Sequence, residues 1–182
     1  LMGGAITCES EVEKGTTFTV RLNLPIVDQQ PVTKQEGHLE DDDVRGLHLL
    51  VAEDNELNWE VIEILLEEFG VTCERVENGR LCIEQLLANP AGTYDAILMD
   101  VQMPEMNGLE ASQRIRNLDE AALRNIPVIA MTADAFAEDV QACISSGMNG
   151  HMAKPIDTIV LLNYLKKIKD IRLLLISLPR IQ

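Results

Sequence analysis

From residue 47 onward, short apolar runs alternate five times with stretches whose apolar residues recur at helical spacing. No other property restricts the fold as much. The runs are Leu47 to Ala52, Val71 to Val76, Asp95 to Asp100, Pro127 to Met131 and Gly150 to Ala153. The first helical stretch carries Leu57, Val61, Ile62, Leu65, Leu66 and Phe69 and stops at Gly70. Asn78 can cap the second, which carries Leu81, Cys82, Leu86 and Leu87. The remaining three span about Gly108 to Asn117, Asp134 to Ser146 (closed by Gly147), and a last helix through Ile159, Leu162, Tyr164, Leu165 and Ile168. An unbroken run such as Ala96-Ile97-Leu98-Met99 suits a strand buried on both faces. The alternation predicts an α/β fold: a doubly wound five-stranded parallel sheet, order 2-1-3-4-5, with helices on both faces. In that order the ends of strands 1 and 3 are adjacent, at the switch point where such sheets bind ligands.

Four of the strands end in polar residues that an apolar run does not require: Glu53-Asp54, Asp100, Thr132 and Lys154. Alone, Asp100 reads equally well as a helix cap, and Lys154 as the partner of a structural ion pair. Together at one carboxyl edge they form a more demanding set. Clustered carboxylates raise one another's pKa, and a cation relieves this. Carboxylate oxygens, a backbone carbonyl and waters suit Mg²⁺, while the lack of clustered His or Cys argues against zinc. A hydroxyl and an ammonium beside a metal provide contacts for a transferred phosphoryl group. A carboxylate can itself be the nucleophile that forms an acyl phosphate.

These residues also carry a resemblance. Ala52-Glu53-Asp54-Asn55, Met99-Asp100-Val101-Gln102-Met103-Pro104, Met131-Thr132-Ala133 and Ala153-Lys154-Pro155 resemble the receiver domain of two-component response regulators, in the form attached to hybrid histidine kinases. The resemblance covers roughly residues 47 to 169 and implies a flavodoxin-like domain in a phosphorelay. It implies that Asp100 accepts phosphoryl from a phosphohistidine, on the kinase's own core or on a histidine phosphotransfer protein. Glu53, Asp54, Asp100 and the Gln102 carbonyl would hold Mg²⁺. Thr132 and Lys154 would contact the phosphate, and the Lys154-Pro155 bond would be cis. The position three before Lys154, usually an aromatic that turns inward as Thr132 shifts, is here His151. It reads either as the switch residue or as a partly exposed edge-strand histidine.

The first 26 residues read as a hairpin. Phe18, Val20, Leu22 and Leu24 alternate with polar residues from Thr17 onward, and Ala5 to Ser10 is the expected partner. Leu1-Met2-Gly3-Gly4-Ala5-Ile6, Ser10, Lys14-Gly15-Thr16-Thr17-Phe18 and Leu24-Pro25 resemble the tail of a histidine kinase's ATP-binding domain. The rest of that nucleotide pocket and the phosphorylatable-histidine helix are missing. The resemblance therefore implies parentage in a phosphotransferase rather than kinase activity or ATP binding by this stretch. The expected organisation is a hairpin remnant at 1–26, an acidic linker at 27–46, a receiver at 47–169 and a tail at 170–182. Two strands cannot bury an apolar face alone, so the hairpin is expected to dock on the receiver or on another copy, giving a possible homodimer.

A formal charge of −15 argues against nucleic acid or an anionic membrane as partner. No apolar run approaches the roughly 20 residues of a membrane span. The four cysteines show no CxxC spacing and read as reduced thilols of a cytoplasmic protein. The chain begins with Leu, as if cut from something longer, and its parent could be membrane-anchored elsewhere. Three rival readings exist. A flavin- or nucleotide-binding module needs a phosphate-cradling loop after strand 1, which Glu53-Asp54 would repel. A phosphatase using Asp100 lacks a second acid two positions on, where Gln102 stands. An interaction module that never takes phosphate leaves the acidic set unexplained.

Overall fold

A computed structural model describes residues 4–11, 14–21, 44–133 and 137–177. Most of the expected linker, the end of the expected hairpin with Leu22, Leu24 and Pro25, and the last five residues lie outside these. The chain divides into two units, residues 1–39 and 40–182. In the first, β1 (Ala5–Glu11) and β2 (Gly15–Arg21) pair antiparallel, with Ile6 opposite Val20 and Cys8 opposite Phe18. All residues of both strands are exposed, Ile6 at 72% and Phe18 at 68%. Among the described residues, this unit has no core of its own.

The second unit is built on β3 (His48–Ala52), β4 (Thr72–Val76), β5 (Ala96–Asp100), β6 (Val128–Thr132) and β7 (Gly150–Ala153). They form a parallel sheet ordered β4-β3-β5-β6-β7, with β3 and β5 adjacent as the alternation predicts. The pleat sends alternate residues to opposite faces. Leu49, Val51, Leu98 and Met131 join one apolar cluster, with Ile62 and Leu66 of α1 (Glu56–Glu68) and Leu161 and Leu165 of α6 (Thr158–Ser177). Leu50, Ile97, Met99 and Ala130 join the other. There they meet Leu86 of α2 (Gly79–Ala88), Ile115 of α3 (Gly108–Arg116), Leu123 of α4 (Ala121–Arg124) and Cys143 of α5 (Ala137–Ser145). Helices on both faces explain why β3, β5 and β6 read as apolar runs rather than alternating strands.

Local signals set the helix boundaries. Asn55, Asn78 and Asn107 each accept a hydrogen bond from the backbone N–H three residues on, capping α1, α2 and α3. Gly70 follows α1 at φ 67°, the left-handed conformation that ends many helices. Gly108 is needed for close approach instead. A Cβ there would lie 2.2 Å from the Asp100 carbonyl oxygen.

Two features depart from the expectations, and a third gives structure to a tail of unassigned role. Val44, assigned to the linker, is fully buried in the apolar cluster beneath α1 and α6. The turn it opens is tied by Gly46 N–H to the Gly70 carbonyl, and by Lys169 and Arg172 to the Arg45 and Gly46 carbonyls. The last helix runs to Ser177, so residues 170–177 extend α6, and Arg172 also pairs with Asp95 at 2.8 Å. Helix α4 went unpredicted because four residues are too few to show a period. On the α3 side, the half-buried Arg116 guanidinium donates to the carbonyls of Gly147, Arg124 and Ile126 and to Asn149 Oδ1, at 2.7–2.9 Å. Ser112 Oγ, fully buried, donates to the Ser146 carbonyl. Together they bind the C-terminal end of α5 to α3.

Candidate functional site

The sheet brings the polar strand ends together. Glu53 and Asp54 follow β3, Asp100 closes β5, Thr132 closes β6 and Lys154 follows β7. Lys154 Nζ lies 2.6 Å from Glu53 Oε2 and 2.7 Å from Asp100 Oδ2, so one ammonium bridges the ends of the adjacent strands β3 and β5. Glu53 is fully buried, and its other oxygen accepts from Asn58 Nδ2 at 2.9 Å. Asp100 is buried, and its Oδ1 accepts from the Gln102 backbone N–H at 3.1 Å. Asp54 is exposed, and its carboxylate takes no hydrogen bond among the described residues. It lines an open cleft with Val101, Gln102, Met103, Asn107 and Asp139.

Burial is the main force on Asp100 and pushes its carboxyl above the ordinary range, with the Glu53 charge adding a little. The Lys154 ammonium and the Gln102 N–H pull the other way without overcoming it. The sequence reading credited carboxylate repulsion with this effect; desolvation is the larger cause. Burial alone would lower the Lys154 pKa, but its bonds to Asp100 and Glu53 outweigh that and raise it.

One oxygen from each of Glu53, Asp54 and Asp100 lies within 4.8 Å of the others, and among the described residues no other group of three such side chains does so. Three hard oxygen donors, one of them exposed and uncommitted, fit a divalent cation of the Mg²⁺ or Ca²⁺ type. Thr132 is buried at the sheet edge, and its carbonyl accepts the Lys154 backbone N–H at 2.8 Å. The Lys154-Pro155 peptide is cis. His151 lies half-buried on edge strand β7, where Tyr164 of α6 brackets its main chain. The Tyr164 hydroxyl accepts from His151 N–H at 3.2 Å and donates to its carbonyl at 3.0 Å. The His151 ring makes no hydrogen bond among the described residues.

Two residues of this neighbourhood escaped the sequence reading. Asn58 stands in the first turn of α1, between Leu57 and Trp59, where a polar side chain looks merely solvated. Arg75 lies in β4, a mixed strand that suits a sheet edge. Its Nε and Nη2 donate to the Glu53 and Asp54 carbonyls, both at 3.0 Å. Neither contact leaves a trace in spacing, because each joins residues from separate elements.

Comparison with known proteins agrees with this geometry. The model of the response regulator receiver domain matches residues 49–166. The aerobic respiration control sensor protein ArcB of Escherichia coli is 33% identical over 173 residues, 93% of this chain and 21% of that protein. Probable histidine kinase 6 of rice is 36% identical over 128 residues, 62% of this chain and 13% of its own length. This chain therefore spans about a fifth or less of these relatives. Among solved structures, the receiver domain of a Pseudomonas aeruginosa sensor histidine kinase, with a magnesium ion in its active-site cleft, is 34% identical. It superposes at a TM-score of 0.62 over 69% of this chain and 98% of that one. A signal receiver domain of a Syntrophus aciditrophicus histidine kinase gives 29% identity and a TM-score of 0.60, over 74% and 94% of the two chains. With the family model covering more than half of its length, the chain belongs to the response regulator receiver domain family, of the kind that hybrid histidine kinases carry.

Proposed function

We propose that this chain takes a phosphoryl group from a phosphohistidine onto Asp100, in a Mg²⁺-dependent phosphorelay. The observation that carries the reading is the Lys154 ammonium held 2.6–2.7 Å from both Glu53 and Asp100, beside an uncommitted Asp54. In the transfer, an Asp100 oxygen attacks phosphorus, the P–O bond forms as the P–N bond breaks, and the donor imidazole leaves with the electron pair. Glu53, Asp54 and Asp100 are the residues that would hold Mg²⁺, with the Gln102 carbonyl beside them. Bound there, Mg²⁺ supplies positive charge against the carboxylates and the incoming phosphoryl oxygens. Lys154 gives up its bond to Asp100 to hold one of those oxygens, and the Thr132 hydroxyl donates to another. Thr132 and His151 then carry the change outward along β6 and β7, which are hydrogen-bonded neighbours.

The donor is a histidine-bearing domain, either the parent kinase's own core or a histidine phosphotransfer protein. In the parent we assign residues 1–26 to the end of an ATP-binding domain and place the receiver in the cytoplasm. Among the described residues no helix is long and apolar enough to cross a membrane, and all four thiols are free. The exposed Ile6, Phe18 and Val20 of the hairpin favour pairing with a second copy of this chain. Sedimentation that is unchanged when residues 1–26 are deleted would remove that pairing.

Incubation with Mg²⁺ and a small phosphodonor, read by intact mass, tests the main reading. One added phosphoryl group is expected, absent without Mg²⁺ and absent in Asp100→Asn. Phosphate retained by Asp100→Asn refutes the assignment.

A further inference from the structure

We infer that Arg75 is a positioning residue for the acidic loop, fixing the main chain from which Glu53 and Asp54 present their carboxylates. The inference rests on the reading that those carboxylates hold a divalent cation. Glu53 has locks of its own, since Lys154 and Asn58 hold both of its oxygens. The Asp54 carboxylate has none among the described residues, so its place in the cleft depends on its backbone. That backbone is gripped from the adjacent strand. Arg75 spans two consecutive carbonyls, with Nε on Glu53 and Nη2 on Asp54, while the Glu53 N–H donates to the Val76 carbonyl at 3.0 Å.

The planar fork of a guanidinium can reach two carbonyls at once, and a lysine ammonium cannot hold that geometry. The Arg75 side chain is only 15% exposed, which partly shelters its bond to the Glu53 carbonyl, while the bond to the Asp54 carbonyl lies at the surface. Its position is set in turn by Trp59, whose ring lies 6.0 Å below the guanidinium, while Nη1 reaches out to Glu56. Glu56 is largely exposed, so that ion pair adds little by itself.

The test is a Mg²⁺ titration of the full chain, followed by the amide shifts of Asp54 and Asn55, in wild type, Arg75→Met, Arg75→Lys and Glu56→Gln. Loss of a residue that orients ligands weakens metal binding by about 10–100-fold. At least about a tenfold loss is expected for Arg75→Met, a smaller one for Arg75→Lys, and none for Glu56→Gln. In metal-free protein, Arg75→Met should speed hydrogen exchange at the Glu53 amide. It should leave unchanged the Ile97 amide, which is bonded to the Pro127 carbonyl at the start of the strand. Wild-type affinity in a folded Arg75→Met overturns the inference and leaves the metal reading standing. If Arg75→Met does not fold, wild-type affinity in Arg75→Lys overturns the fork. A wild-type chain that takes no Mg²⁺ removes both the metal reading and the inference.

Discussion

Replacing Lys154 by Met is the most demanding test of the site, because it leaves two buried carboxylates facing each other with nothing between them. Lys154 makes two charge-assisted bonds, at 2.6 and 2.7 Å, and its side chain is 16% exposed against 0% for Glu53 and 7% for Asp100. Hydrogen bonds to charged groups contribute about 1.5–3 kcal/mol each, so two bring roughly 3–6. Removing one partner of a buried ion pair costs about 3–5 kcal/mol, because the remaining charge is uncompensated. The two estimates overlap at about 3–5 kcal/mol, a large share of the roughly 5–15 kcal/mol that holds a domain folded. Urea unfolding in chelator at pH 7 reads the loss as a midpoint lowered by about 1–5 M. The cause can be separated from lost packing in two ways. A Mg²⁺ concentration near 100 times the dissociation constant adds about 2.7 kcal/mol to the folded state. The variant, with two carboxylates released from lysine, should gain more than wild type. Burial raises the Asp100 pKa, so at pH 3 its carboxyl is protonated and the deficit should shrink. A loss below about 1 kcal/mol, or the same loss at pH 3 and in Mg²⁺, refutes the reasoning.

Asp100→Asn should raise the melting temperature at pH 7 even as it abolishes phosphoryl uptake. Burial raises the folded pKa of Asp100, so its contribution is fully present below the ordinary value of 3.8 and is lost as pH rises through the folded value. At neutral pH the ionised group therefore costs stability, and the gain from Asn should vanish below about pH 4 in a calorimetric pH series. Glu74 has the opposite sign. The Tyr94 hydroxyl bond chiefly lowers its pKa, with Gln85 and His48 helping and burial opposing. Its stabilisation is present above the ordinary value of 4.5 and is lost as pH falls through the folded one. Glu74 is nearly half-exposed, so Glu74→Gln should cost less than about 1 kcal/mol at pH 7 and nothing at pH 2, in denaturant midpoints. Gly108→Ala forces a Cβ to 2.2 Å from a backbone oxygen that has little room to retreat. It should cost at least about 1–3 kcal/mol in urea and slow phosphoryl uptake by displacing Asp100.

The central sheet was readable because burial on both faces leaves a strand no polar residues except at its end. Asp100 and Thr132 therefore stood out against Ala96–Met99 and Val128–Met131, and Lys154 against the shorter edge run Gly150–Ala153. The same logic failed wherever a long side chain reaches across the fold. Arg172 looked like part of a tail, yet it holds Asp95 and the Gly46 carbonyl, and its role depends on α6 running on past the sheet. Val44 looked like the end of an acidic linker because three aspartates precede it, and a single buried valine shows no period. Arg75 read as an edge-strand charge. Its two acceptors are backbone carbonyls, which carry no residue identity to detect. Receiver chemistry was thus legible in residue types, whereas the supports of that chemistry lie in geometry.

The joint between α3 and α5 behaves differently from the site. Arg116 is a cation with no carboxylate among its acceptors, which are three backbone carbonyls and one side-chain amide oxygen. None of these titrates, and neither does the Ser146 carbonyl that Ser112 holds. Acid removes the charge that holds the Glu74 cluster together, alkali removes the proton that lets Lys154 bridge two strands, and salt screens the surface pairs of Arg80 and Arg114. The acceptors of the α3–α5 joint take up no proton in acid, and it has no carboxylate partner whose attraction salt could screen. The domain thus pairs a centre held by ion pairs with a joint whose one cation is held by neutral oxygens.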